Sequence, residues 1–134
     1  MQLTVSYREI QNYILREYKK EIGLEYIDRQ TFRVSYSPHR FVPTARLNIR
    51  VDFVSEEEVI LSYNGRRGIN MIIHGVVLYM GNRIDANLLR VVPEDRLLYF
   101  YPLSVKGAAK VFEFLKPEGI YFTETGVEVV MGVR

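Results

Sequence analysis

The sequence predicts an α+β domain in which helices gather on one face of an antiparallel sheet, and three observations predict it. A capped amphipathic helix opens the chain, alternating stretches follow, and a nearly unbroken apolar run lies near the middle. Antiparallel strands with one wet face must bury the other, and amphipathic helices are its natural cover.

The first helix is announced by Ser6-Tyr7-Arg8-Glu9, a capping box in which the Ser6 hydroxyl takes a free amide of the first turn and Glu9 reaches back to the Ser6 amide. Tyr7, Ile10, Ile14, Tyr18 and Ile22 recur at helical spacing as one apolar face. Arg8, Asn12, Arg16, Lys19 and Lys20 fall on the other, and Gly23 offers a left-handed stop.

Beyond Gly23 the period changes to two. Thr31 to Tyr36 and Ala45 to Phe53 alternate as strands with one wet face, joined through a loop holding Pro38 and Pro43. Glu56-Glu57-Glu58 reads as a turn, and Val59 to Tyr63 as a third strand ending at Asn64-Gly65.

The run from Gly68 to Met80 is interrupted only by Asn70 and His74. It is shorter than the roughly twenty residues that cross a bilayer. Periodicity does not separate helix from strand here: five of the twelve residues from Ile69 to Met80 are β-branched, whereas the length and the Gly-rich lead-in suit a buried helix. The run is read as helix.

After it, Arg96 to Pro102 reads as a strand. A second amphipathic helix is expected from a Ser104 cap, with Val105, Ala108, Ala109, Phe112 and Leu115 inward until Pro117 and Gly119 stop it. Ile120 to Thr123 and Val127 to Val133 close the chain as a hairpin around Glu124-Thr125-Gly126.

A chain of 134 residues with 48% hydrophobic residues and no linker is most simply one domain, residues 1–134, able to bury a core without staples. Ten Tyr, seven Phe and no Trp give an interior of amphipathic rings. The net charge of +2 is far from the polybasic composition of nucleic-acid binders, so nucleic acid is not the expected partner. Without cysteine, disulfides, thiolate metal sites and a cysteine nucleophile are excluded. No signal peptide is visible, which implies a cytoplasmic protein if the chain is complete and a cell-envelope protein if a leader was trimmed.

The Ser6-x-x-Glu9-Ile10-x-x-Tyr13 opening, the alternating strands, Gly68 to Asn70 leading the apolar stretch, Leu97 to Tyr101, and the ending Phe112-x-x-Leu115-x-x-x-Gly119-Ile120-Tyr121-Phe122-Thr123-Glu124-x-Gly126-Val127-x-Val129 together resemble small bacterial proteins of the tubular lipid-binding (TULIP-like) type. The resemblance spans roughly Ser6 to Val130 and is one of pattern. It implies a long N-terminal amphipathic helix and further helices packed on one face of a curved antiparallel sheet. It also implies a fatty acid or phospholipid held in the gap.

No phosphate loop, GxSxG elbow or zinc motif is present, and the two histidines, His39 and His74, have no metal spacing. Glu56-Glu57-Glu58 and Glu94-Asp95 sit where turns are expected and read as solvated charges. The expectation is a protein that is not an enzyme, with no metal and no cofactor.

The expected ligand cleft is walled by Ile10, Ile14 and Tyr18 of the first helix, the row Leu47, Ile49, Val51 and Phe53, and Ile69, Ile73, Val76, Val77 and Met80 of the apolar run. Arg66 and Arg67 ahead of that run are candidates for a lipid head group or other anion, since guanidinium forks suit phosphate and a helix starting at Ile69 would add amide donors. Ten buried methylenes at about 0.8 kcal/mol each supply on the order of 8 kcal/mol before ordering costs, enough for roughly micromolar retention. The alternative is an assembly or interaction module with a filled core. It would act through an edge strand or through the basic sheet face of Arg33, Arg46 and Arg50, a face also suited to peripheral contact with an anionic membrane.

Overall fold

The computed structural model describes residues 1–37, 44–65 and 87–134. Among these residues nine strands form two antiparallel sheets. The smaller, ordered β1-β9-β8, is built from β1 (Gln2–Ser6), β9 (Gly126–Val133) and β8 (Leu115–Phe122). The larger is ordered β2-β3-β4-β5-β7-β6, from β2 (Ile22–Asp28), β3 (Thr31–Tyr36), β4 (Ala45–Val54), β5 (Val59–Gly65), β7 (Leu97–Phe100) and β6 (Leu89–Val92).

Two helices complete the described residues: α1 (Tyr7–Tyr18) and the single turn α2 (Ala108–Val111), preceded by a 3-10 turn at Pro102–Ser104. Strand makes up 55% of the described residues and helix 18%. This overturns the expected α+β layer with a long N-terminal helix and further helices covering one sheet face: the protein is mostly antiparallel sheet.

Three local causes account for the difference. The capping box forms, with the Glu9 amide donating to Ser6 Oγ at 3.1 Å and the Ser6 amide to Glu9 Oε1 at 3.3 Å. But α1 stops at Tyr18, because Lys19 takes a left-handed conformation (φ 57°) and its amide caps the Leu15 carbonyl at 3.0 Å. Gly23, expected as the stop, lies instead inside β2, where Ile22, Leu24 and Tyr26 alternate inward opposite Tyr36, Val34 and Phe32.

The second helix shrinks to one turn because Gly107, at φ 85°, breaks the chain direction and Ser104 belongs to the preceding 3-10 turn. From Leu115 the chain is already strand. Pro117 is tolerated there because β8 is an edge strand and a bulge follows at Glu118. Strands β1, β2 and β6 had not been anticipated, and they tip the balance toward sheet.

The sheets meet where the Phe32 and Phe122 rings pack at 4.7 Å between centroids and the Phe122 amide donates to the Arg29 carbonyl at 2.8 Å. Helix α1 lies chiefly on β2, β1 and β9. Its first turn is tied to the β8–β9 hairpin through the Tyr7 hydroxyl, which donates to the Thr123 carbonyl at 2.6 Å. Its second turn is tied to β2 through Gln11 Nε2, which donates to the Ile22 carbonyl at 2.8 Å. Among the described residues, no helix is long and apolar enough to cross a membrane.

Candidate functional site

Pairing registers assign the paired residues of the six-stranded sheet to one of its two faces. Cross-strand partners share a face, so Leu24, Val34 and Leu47 form one inward row and Tyr26, Phe32, Ile49 and Tyr63 a second. Val51, Leu61, Leu98 and Val91 form a third, and Val59, Phe100 and Leu89 a fourth. One face of the sheet is therefore apolar from β2 to β6.

Leu47, Ile49 and Val51 stand side by side on that face, with Ile49 8% and Val51 6% exposed and Leu47 half-buried. Phe53 does not join them. A bulge between Val51 and Phe53 inserts Asp52 into β4, so Phe53 pairs with Ile60 on the outer face and is 50% exposed. Ile10, Ile14 and Tyr18 are half-buried on α1, whose main neighbours are β2, β1 and β9 rather than β4. Ile69, Ile73, Val76, Val77 and Met80, together with Arg66, Arg67, His39 and His74, lie outside the described residues.

Several of the most buried positions lie outside the expected cleft. Tyr63 and Val59 are each 3% exposed, and Tyr7, Phe122 and Met131 are also buried. Burial pushes the Tyr7 hydroxyl above the ordinary tyrosine value, with Tyr26 adding to the shift. Burial also raises Tyr63, against a lowering by Arg96 and a smaller raising by Glu94. The signal for Tyr63 was its place in the row opposite Ile49, which becomes visible only once the register of β4 on β5 is known.

The outer face is polar at the β2–β5 end. Glu25, Arg33, Asn48 and Asn64 form one straight cross-strand row, with Arg46 diagonal to Arg33 across the Ser35–Arg46 pair. These side chains and Gly65 line an open concavity of about 480 Å³. Arg33 Nε donates to Asn48 Oδ1 at 3.1 Å, and its guanidinium stands 3.5 Å from Glu25. Arg50 is 3.7 Å from Asp52. At the other end of this face Arg90 lies over the Tyr99 ring at 5.1 Å, beside Ile60 and Leu97. Of the carboxylates read as solvated turn charges, Glu94 and Asp95 lie exposed in a turn, whereas Glu56, in the bend between β4 and β5, is half-buried and ion-paired with Arg134.

The chain matches no family model, no curated protein and no solved structure.

Proposed function

We propose that this protein is a non-enzymatic binder of a lipid-like chain, a fatty acid or the acyl part of a phospholipid, held against the apolar face of the six-stranded sheet. The observation that carries the reading is the mismatch, among the described residues, between that face and its helical cover. Six strands at about 4.8 Å spacing span roughly 24 Å, whereas a helix of twelve residues is about 18 Å long and 10 Å across. Helix α1 lies over the β2 edge and the smaller sheet. Only the middle of the apolar face, Ile49, Val51, Val59 and Tyr63, is buried, and Leu24, Phe32, Val34, Leu47, Leu89 and Phe100 keep part of their surface open. Half-covered methyls and rings in a continuous row gain free energy from any apolar chain laid along them, without a specific motif.

The test is organic extraction and native mass spectrometry of freshly purified full-length chain, which should return acyl species in stoichiometric amount. Leu47→Arg, at a half-open position of the row, should lose those species while circular dichroism and melting stay close to the parent. Empty extracts, together with failure to displace an environment-sensitive fatty-acid probe, would overturn the reading.

A further inference from the structure

The outer face of the same sheet carries chemistry that an apolar guest on the inner face does not use. We infer that the concavity over β2–β5 is a binding site for a phosphate monoester, received between the guanidinium groups of Arg33 and Arg46. Four features support this. First, the site is built on paired strands, so its side chains start from fixed backbone positions: Glu25, Arg33, Asn48 and Asn64 stand opposite one another in register. Second, Arg33 and Arg46 are diagonal neighbours on adjacent strands, a separation of about 7–8 Å that long side chains span, so both forks can converge on one anion.

Third, the two arginines are differently engaged. Arg33 is aimed by Asn48 Oδ1 at 3.1 Å, while among the described residues the Arg46 side chain makes neither a hydrogen bond nor an ion pair and is exposed on the rim. One guanidinium is thus oriented in advance and the other is free to close. Fourth, the charge present selects the ligand. Glu25, its side chain 62% exposed, stands 3.5 Å from Arg33 as an internal carboxylate, and a monocarboxylate ligand would only exchange one single charge for another. A phosphate monoester carries a charge of about −1.5 to −2 and three strong acceptor oxygens. It can therefore displace Glu25 and still accept from the Asn48 and Asn64 amides, using the planar fork geometry that favours arginine at phosphate. A concavity of about 480 Å³ leaves room beside the phosphoryl group for the rest of the ligand.

This site is independent of the acyl-chain reading and fails or stands separately from it. Phenyl phosphate and inorganic phosphate titrated into the isotopically labelled chain at low ionic strength should give saturable shifts of the Asn48 and Asn64 side-chain amides. Arg46→Ala should weaken binding at least tenfold, and Arg46→Lys several-fold through loss of the fork. Glu25→Gln should tighten it several-fold by removing the internal competitor, a gain that a merely structural Glu25 would not produce. Vesicles of phosphatidylcholine doped with phosphatidic acid form the second arm. Arg46-dependent co-sedimentation without a response to phenyl phosphate assigns the phosphate to a lipid head group, and the reverse assigns it to a soluble ligand. No saturable response in either arm, or a Glu25→Gln variant that binds no better than the parent, would overturn the site.

Discussion

At the residue scale Tyr7 shows how one side chain can carry two kinds of information. Its position beside Ser6 places it in the first turn of a helix, and its ring is buried while its hydroxyl finds the Thr123 carbonyl at 2.6 Å. Burial holds its pKa above 10.0, the ordinary value it has when unfolded. Raised in the folded state, the group contributes stability that is fully present below the unfolded value and is lost as pH climbs through the folded one. Thermal unfolding followed above pH 10 should show a falling melting temperature, and the fall should be shallower in Tyr7→Phe, which lacks this titration, with Tyr63, also raised by burial, acting in the same direction. At neutral pH Tyr7→Phe should cost about 1 kcal/mol for the lost hydrogen bond. An alkaline slope unchanged by the substitution would show that Tyr7 does not titrate differently in the two states. The helix start at Ser6 was legible because a capping box is a contact between residues three apart; the Thr123 partner was not, being 116 positions away.

At the element scale, success and failure divide by the range of the deciding contact. Strand β3 was legible to the residue, and β4 nearly so, because alternation over six to ten residues is a local signal. Phe53 escaped it because a bulge shifts parity without changing composition, and the shift is enforced by the β5 register. The second helix was overestimated because its apolar spacing is real while Gly107 delays its start and the chain is already strand from Leu115. In α1 the local signal dominates, so Ser6→Ala should lower stability by about 1 kcal/mol and speed amide exchange in the first turn. A variant as stable as the parent, with unchanged exchange at Glu9, would mean that tertiary contacts alone hold that end.

At the scale of the whole molecule the two sheets are joined, among the described residues, by specific links. Phe32 packs on Phe122 in a tilted arrangement, and the Phe122 amide reaches the Arg29 carbonyl. Arg29 itself lies over the Tyr121 ring at 4.3 Å. Arg134, at the end of β9, pairs with Glu56 in the β4–β5 turn and donates through Nε to the Phe112 carbonyl at 2.6 Å. Phe122→Ala should therefore cost about 3–5 kcal/mol. A double-mutant cycle with Phe32→Ala should show a coupling of about 0.5–1.5 kcal/mol beyond simple area. Strictly additive losses would remove the ring pair as a joint between the sheets.

By itself the sequence determined the capped helix, the parity of the principal strands, and a basic outer face opposite an apolar one, since each follows from contacts or periods a few residues long. Only the tertiary structure decided that Gly23 and Leu115 belong to strands, that Phe53 turns outward, and that Glu25, Arg33, Asn48 and Asn64 line up across four strands. Sheet register is completed by pairing between segments that meet only on folding, and a bulge such as the one at Asp52 shifts it without changing the local pattern.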